Sequence, residues 1–243
     1  SPAGLISHLH IASPYLDAQG LSQLASQCAA VTTEFENVPA QALARLQADT
    51  LVSPAPEAVR VAQDRALEKA HFVGCGVPVA PHAVIENTQA LTSVPDHLLP
   101  GILKTTRLGY DGKGQVRVRT RDELTAAFAA LHTGDTTVVC ILEQQLPLAA
   151  ECSVVLARGH DGQCVHLPLQ LNRHRDGILA VTEVWANALP EHTTQQALHA
   201  AQQIAASLHY VGVLCVEFFL IEEGPVCDVL GPLVVNEIAP RPH

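Results

Sequence analysis

Hydrophobic and polar positions alternate in two different ways along the chain, and the change comes near residue 64. In the first part, short apolar runs are separated by amphipathic segments with helical spacing. Strands are predicted at residues 8–13, 30–35 and 51–53, and helices at 18–28 and 39–46. Such an alternation is typical of a parallel sheet with crossover helices. Residues 1–64 are therefore predicted to form a partial Rossmann-like domain with parallel βαβ connectivity.

A helical pattern begins near residue 53 and is predicted to continue past Asp64 and Arg65 to about Val73, where a Gly- and Pro-rich segment breaks it. Beyond this break apolar runs follow one another closely, and helical segments are few. Strands are predicted at 84–85, 101–104, 115–118, 137–143, 152–157, 211–221 and 233–238, helices at 122–131 and 193–208, and a polar hairpin at 170–178. We therefore predict an α+β second domain with mostly antiparallel strands. It covers residues 65–243, with a small subdomain at 65–142 and a larger one at 143–243.

Composition narrows the class of protein. The 243 residues are 48% hydrophobic and 16% charged, which is typical of a folded globular chain. A formal net charge of −10 without any polybasic block argues against nucleic acid and against anionic membranes as partners. Seven scattered cysteines without CxxC spacing indicate reduced thiols in a cytoplasmic protein. The chain contains no methionine and is expected to be the interior of a longer polypeptide.

A glycine-rich loop follows one strand-like run and precedes another, within the segment ILKTTRLGYDGKGQ. Glycines let backbone amides approach an anion closely, and lysines add positive charge. The residues concerned are Gly109, Gly112, Gly114, Lys104 and Lys113. Walker and dinucleotide-binding loops open a helix, so this loop matches neither. Two interpretations stay open from the loop alone, an anion-binding loop and an ordinary hairpin with solvated lysines.

Two glutamates lie inside strongly apolar strands near the end of the chain. Glu217 lies in VLCVEFFL and Glu237 in LVVNEI, with Asn236 beside it. On neighbouring strands the two carboxylates and the amide could face one point, which would suit Mg²⁺. The alternative is that both glutamates point to solvent from a one-sided sheet. A second pair, Glu143 and Glu151, is predicted from its own context to lie on the surface.

Taken in order, four segments resemble the ATP-grasp enzymes: KTTRLGYDGKGQ, EQ followed by AAEC, NRHRDGI, and VEFF followed by NEIAPRPH. The segments TTEFENVP and QDRALEK upstream are also similar to this family. The resemblance covers nearly the whole chain. Within the superfamily it is closest to the 5-(carboxyamino)imidazole ribonucleotide synthases, biotin-independent carboxylating ligases of purine synthesis. It implies an ATP-grasp fold preceded by the partial Rossmann-like domain.

The resemblance also implies roles for individual residues. Contacts to the ATP phosphates fall to Arg65 and Lys104. The lid over the triphosphate comprises Gly109, Tyr110, Asp111, Gly112, Lys113, Gly114 and Gln115. The hinge whose backbone reads adenine comprises Glu143, Gln144, Gln145 and Leu146, with Glu151 for the ribose and His174 near the nucleotide. The Mg²⁺ ligands are Glu217 and Glu237, with Asn236. The residues facing bicarbonate and the aminoimidazole ribonucleotide are Tyr110, Asp111, Lys113, Arg241 and His243.

The implied reaction uses ATP, with Mg²⁺ or alternatively Mn²⁺, to activate bicarbonate as carboxyphosphate. The activated carboxyl group is then transferred to 5-aminoimidazole ribonucleotide. The family further implies a cytoplasmic homodimer. Other ATP-grasp ligases are the alternatives, namely a formate-dependent glycinamide ribonucleotide transformylase or a biotin carboxylase. A protein of another class, a non-catalytic nucleotide-binding fragment, is the remaining alternative.

Three features depart from the family pattern. The chain begins after the family's glycine-rich strand–turn and stops at His243, where family members continue into a C-terminal domain. The residues between the two glutamate-bearing strands, 224–232, are also more numerous than in the family. The register of Glu237 against Glu217 is therefore open. We expect the 243 residues alone to bind ATP but not to carboxylate at a useful rate.

Overall fold

The computed structural model describes residues 3–109, 114–132, 138–175, 178–185 and 189–241. In these ranges the helices are α1 (Ala18–Gln27), α2 (Ala40–Gln47), α3 (Pro56–Ala62), α4 (Arg65–Gly74), α5 (Thr88–Thr92), α6 (Arg121–Leu131), α7 (Glu191–Ser207) and α8 (Pro225–Leu230). The strands are β1 (Ala30–Val31), β2 (Leu51–Val52), β3 (His82–Ile85), β4 (Gly101–Thr105), β5 (Gln115–Val118), β6 (Cys140–Gln144), β7 (Leu148–Arg158), β8 (Cys164–His166), β9 (Gln170–Arg175), β10 (Ile178–Val184), β11 (Gly212–Ile221) and β12 (Leu233–Ala239).

The N-terminal part contains a two-stranded sheet in which β1 and β2 pair in parallel, as the alternating pattern predicts. Its small core is built around Leu43, Leu46, Val52 and Val59. The strand predicted at residues 8–13 is wrong. That segment is exposed or half-buried and pairs with no strand in the described part of the chain, so neither hydrogen bonding nor core packing holds it extended.

The helix predicted to run from about residue 53 to Val73 is broken into α3 and α4. Asp64 adopts an extended conformation and caps α4, accepting from the amides of Ala66 at 3.1 Å and Leu67 at 3.4 Å. A side chain that satisfies the free amides of a new helix in this way favours a helix start. Because of the break, α4 begins at Arg65.

A four-stranded antiparallel sheet, in the order β3-β6-β4-β5, forms the small subdomain. Helices α5 and α6 lie against it over a core that includes Ile85, Leu103, Leu142 and Phe128. The glycine-rich loop connects β4 with β5, so the prediction that it lies between two strands is confirmed.

The larger sheet has the order β10-β9-β7-β11-β12, with β8 also paired to β7, and every pairing is antiparallel. Helix α7 packs on it through alanines and Ile204. Outside the named strands, an isolated parallel bridge joins Val79 to Val235. The predicted mixture of a parallel N-terminal unit and antiparallel α+β sheets is therefore confirmed. None of the helices in the described ranges is long and apolar enough to cross a membrane.

Candidate functional site

A cleft of about 420 Å³ lies between the two antiparallel sheets and is bordered on one side by the N-terminal part. The structure brings most of the predicted site residues to this cleft. Those that line it are Arg65, Lys104, Gly109, Gln115, Glu151, His174, Glu217, Asn236, Glu237 and Arg241. Tyr110, Asp111, Gly112, Lys113 and His243 lie outside the described residues, and their predicted roles stay predictions.

Glu217 and Glu237 meet because the pairing of β11 with β12 is irregular. The register shifts between Val216 and Phe218, so Glu217 lies opposite both Asn236 and Glu237. A β-bulge of this kind re-aims side chains. All three polar side chains line the cleft, and Asn236 hydrogen-bonds to the Glu217 carboxylate. The longer connection that left the register open is occupied by α8, and the two strands pair around it.

Glu217 does not point to solvent, because its exposed fraction is 6%. Burial raises the pKa of Glu217, and the neighbouring carboxylates of Glu237 and Glu151 raise it further, to about 8. Burial and the charge of Glu237 likewise raise the pKa of Glu68 well above its usual value. For Glu151, burial and the nearby Glu237 also raise the pKa. This end of the cleft therefore carries more negative charge than its protein neighbours compensate.

Crowded carboxylates with an amide oxygen beside them form a donor set that suits a divalent cation. In the described part of the chain no group of three or more His, Cys, Asp or Glu forms a complete metal site. Glu217 and Glu237 with Asn236 would therefore supply only part of a coordination shell. Mg²⁺ usually completes its shell with phosphate oxygens and water. The residues present fit a cation that arrives with a phosphate ligand.

Glu143 lies between two lysines and is 3% exposed. Its carboxylate oxygens are 3.5 Å from the Lys69 ammonium nitrogen and 3.1 Å from that of Lys104. Burial would raise the pKa of Glu143, but the charges of Lys69 and Lys104 outweigh it and lower the pKa to about 2. The prediction that Glu143 is a surface residue is wrong, because β6 is an inner strand and carries this side chain into the interior.

Lys69, which is 1% exposed, extends this ion-pair network to β12. Its ammonium group donates to the main-chain oxygen of Asn236 at 2.7 Å. The preceding residue, Glu68, accepts from the amide of Ile238, also at 2.7 Å. Two consecutive residues of α4 thus hold β12 on either side of Glu237. One buried turn of α4 therefore joins the wall of the cleft that carries Lys104 to the wall that carries Glu237.

Arg65 lies at the first position of α4 and borders the cleft beside the glycine-rich loop. Its guanidinium donates to the main-chain oxygens of Thr105 at 3.1 Å and Gly109 at 3.3 Å. At the far end of the loop, Gly114 has φ of +72°, and an added Cβ would lie 2.8 Å from the Thr105 hydroxyl oxygen. Glycine is therefore required there, although Gly114 itself does not line the cleft.

The predicted hinge, residues 143–146, does not line the cleft with its side chains. The amides of Gln144 and Gln145 donate to Pro81 at 2.8 Å and Pro100 at 2.9 Å. Among the described residues, no acceptor takes the amide of Leu146. Judged from the described residues, the amide of Leu146 is thus the hinge amide available to a base, and the adenine contact stays a prediction.

Two further contacts order the rim of the cleft. The Glu151 carboxylate lies 3.2 Å from the Nδ1 atom of His174, which joins the predicted ribose and nucleotide residues. Arg241 donates to the Glu36 carboxylate at 3.1 Å. The Gln63 side-chain amide donates to the main-chain oxygen of Glu36 at 2.6 Å. Glu36 of the N-terminal part thus contacts Arg241, a residue that lines the cleft.

The sequence-based assignment did not include several residues that line or support the cleft. They are Glu36, Gln63, Glu68, Lys69 and Arg117. A signal for some of them existed, because Glu36 lies in TTEFENVP and Gln63 to Lys69 form QDRALEK, both of which resemble the family. Their contacts were not visible in the sequence, since they join separate segments, which for Glu68 and Ile238 lie 170 positions apart.

Comparison with known proteins agrees with this geometry. Residues 70–243 match the model of the ATP-grasp domain, and residues 1–63 match that of the ribonucleotide synthetase preATP-grasp domain. The chain therefore belongs to the ATP-grasp family.

Several of its relatives share one name. The chain is 39% identical, over its whole length and 64% of the relative's, to N5-carboxyaminoimidazole ribonucleotide synthase of Brucella melitensis. It resembles the ADP complex of the N5-carboxyaminoimidazole synthetase of Staphylococcus aureus with a TM-score of 0.87 and 34% identity, over 100% of this chain and 61% of that one. For the Aspergillus clavatus synthase in complex with ADP and 5-aminoimidazole ribonucleotide, the TM-score is 0.82 and the sequence identity is 26%. That likeness covers 100% of this chain and 61% of the Aspergillus chain. The chain thus spans less than two thirds of the length of these relatives.

The buried ion-pair network generates a prediction about stability. Glu143→Gln should lower the free energy of unfolding by about 3–5 kcal/mol, because it leaves the Lys69 ammonium buried without its carboxylate. The matched change Glu151→Gln removes a carboxylate whose pKa is raised by burial, so it should leave stability unchanged or increase it. Urea unfolding at pH 7 measures both. Equal losses in the two variants would show that Glu143 is not held by the lysines.

The raised pKa of Glu217 leads to a prediction about how the stability of the fold depends on pH. The folded pKa of about 8 exceeds the ordinary value of 4.5, so between these values the native state keeps a proton that the unfolded state loses. Stability from this group is therefore fully present below pH 4.5 and is lost as the pH rises towards 8. Compared with the parent, Glu217→Gln should be equally stable at pH 4.5 and more stable at pH 8.5 in urea unfolding without metal. A stability difference independent of pH would contradict the predicted crowding.

Proposed function

We propose that the protein containing this chain carboxylates 5-aminoimidazole ribonucleotide, using ATP and bicarbonate, and releases ADP and phosphate. The observation that carries this proposal is the arrangement of one cleft. Arg65 and Lys104 border it beside the glycine-rich loop, while Glu217, Asn236 and Glu237 face it from the larger sheet. Cations on one wall and crowded carboxylates on the other suit a triphosphate held with a divalent cation. The names of the relatives support the same reaction.

The phosphates of ATP would lie between Lys104 and the glycine-rich loop. Lys104 keeps one bond to Glu143 at 3.1 Å, and its remaining ammonium protons can donate to phosphate oxygens. The lysine enters the reaction already positioned, because Glu143 is itself fixed by Lys69. Positioning and charge neutralisation are what phosphoryl transfer asks of a protein.

Glu217 and Glu237, with the amide oxygen of Asn236, would hold Mg²⁺. The raised pKa of Glu217 and the shortage of positive charge around it support this assignment. A bound Mg²⁺ supplies neutralisation of the charge that develops on the phosphate oxygens. Lys69 and Glu68 would keep the bulge of β12 in register, so that Glu237 stays directed at the cleft.

The reaction then proceeds in two displacements. A bicarbonate oxygen attacks the γ-phosphorus of ATP, ADP leaves, and carboxyphosphate forms. The amino nitrogen of the ribonucleotide next bonds to the carboxyl carbon, either of carboxyphosphate or of CO₂ released from it. Phosphate departs, and the nitrogen loses a proton. Arg241 borders the cleft beside Glu36 and can bind a carboxylate or phosphate group in a bidentate manner. Tyr110, Asp111, Lys113 and His243 would act at this end of the site.

Other ATP-grasp ligases remain the second candidates. The preATP-grasp match over residues 1–63 and the names of the relatives favour the carboxylating enzyme over a formate-dependent transformylase or a biotin carboxylase. The cytoplasmic location and the homodimer rest on the family resemblance and stay predictions.

We expect ATP hydrolysis in the full-length protein to require both bicarbonate and 5-aminoimidazole ribonucleotide. Glu237→Gln should weaken MgATP binding at least about 10-fold, because one ligand charge is lost. Glu222→Gln, an exposed change just beyond β11, is the matched control and should bind normally. Coupled ADP release and calorimetric titration provide the two readouts. Turnover that depends on formate or biotin would assign the protein to the rival ligases, and nucleotide binding without any turnover would support a non-catalytic role.

A further inference from the structure

Arg117 is a cation of the cleft that neither the family resemblance nor the predicted reaction uses. Four arginines and lysines line the cleft among the described residues: Arg65, Lys104, Arg117 and Arg241. Three of them have protein partners, which are main-chain oxygens for Arg65 and the carboxylates of Glu143 and Glu36 for the other two. Within the described part of the chain the side chain of Arg117 has no hydrogen bond or ion pair.

The side chain of Arg117 faces the cleft for a reason that the strand pattern explains. Arg117 pairs with Ile102, and Gln115 pairs with Lys104, so these four residues share one face of the β4–β5 ribbon. All four line the cleft. On the opposite face, Leu103 and Val118 are buried in the core. The orientation of Arg117 is therefore set by the sheet.

The register also locates Arg117 along the cleft. Its partner Ile102 pairs on its other side with Glu143, the first residue of the hinge. The Lys104–Gln115 pair lies two residues further along, about 7 Å nearer to the glycine-rich loop. Arg117 is thus level with the hinge, whereas the phosphate-binding residues are level with the loop.

Apolar side chains also line the cleft, and one of them, Ile102, is the strand partner of Arg117. Ile102 lines it from the small sheet, and Leu148 and Phe219 line it from the larger sheet. Two apolar walls with a planar guanidinium at one edge suit a flat heteroaromatic ring. Arginine stacks on such rings through its delocalised charge and its flat face.

We infer that Arg117 packs against the adenine ring of the bound nucleotide and sets affinity for the base rather than for the triphosphate. The inference rests on the proposed binding of ATP. It makes Arg117 a specificity-determining residue, separate from the cations that hold the phosphates.

The test compares two ligands that share a phosphate chain. MgATP and magnesium tripolyphosphate are titrated calorimetrically into the 243-residue chain and into Arg117→Gln and Arg117→Lys, at constant ionic strength. Arg117→Gln should weaken MgATP binding about 5-fold or more, and Arg117→Lys should recover only part of the loss. Affinity for tripolyphosphate should stay within about 2-fold of the parent in both variants. Arg119→Gln, the same change two residues on and outside the cleft, should alter neither ligand.

Each other result overturns the inference in a recognisable way. Equal losses for ATP and tripolyphosphate would place Arg117 on the phosphates. Unchanged ATP affinity in a folded Arg117→Gln variant would show that the side chain contacts no ligand. If the parent chain bound ATP no more tightly than tripolyphosphate, the adenine ring would contribute no affinity and the base contact would be ruled out. If the parent binds neither ligand, the proposed function fails together with the inference.

Discussion

The site depends on one buried carboxylate held between two lysines. Glu143 joins Lys104, which borders the cleft, to Lys69, which reaches Asn236 on the opposite strand. Burying three charges is costly, and removing one partner leaves the others uncompensated in a region of low dielectric. The ion pairs therefore fix the distance between the wall that carries Lys104 and the wall that carries the carboxylates. The proposed binding of a triphosphate between the two sheets would need such a fixed distance, because misplacement of about 1 Å costs much of the rate.

On the opposite wall of the cleft, negative charges outnumber positive ones. Glu217, Glu237, Glu151 and Glu68 share a space in which protein cations are too few, and burial raises the pKa of three of them. Glu143, with two lysines, has its pKa lowered instead. The two carboxylate environments thus differ in charge: the protein's own lysines neutralise Glu143, whereas Glu217 and its neighbours keep negative charge that protein cations do not compensate. Uncompensated charge lowers stability, and such a loss is expected where a binding function requires the charge.

The sequence predicted most of the strands, the parallel N-terminal pairing and the placement of the glycine-rich loop, because these follow from local periodicity. It also predicted that Glu217 and Glu237 lie inside apolar strands. It could not reveal the β-bulge that brings Asn236 and Glu237 opposite Glu217, since a bulge depends on how two strands align. The break at Asp64 was missed because a capping side chain interrupts an apolar pattern without changing it. Glu143 was misassigned to the surface because its partners, Lys69 and Lys104, are 74 and 39 positions away. Contacts of this range are set by the assembled fold.

A double-mutant cycle between Lys69 and Glu237 tests most directly whether the buried network positions β12, the strand that carries Glu237. MgATP affinity is measured for the parent, Lys69→Met, Glu237→Gln and the double variant. If Lys69 acts through β12, Lys69→Met should weaken binding about 10-fold in the parent but less than about 2-fold once Glu237 has been changed, a coupling of about 1 kcal/mol. The same factor for Lys69→Met in both backgrounds would show that the two residues act independently. That result would contradict the central role of the Lys69–Glu143–Lys104 network.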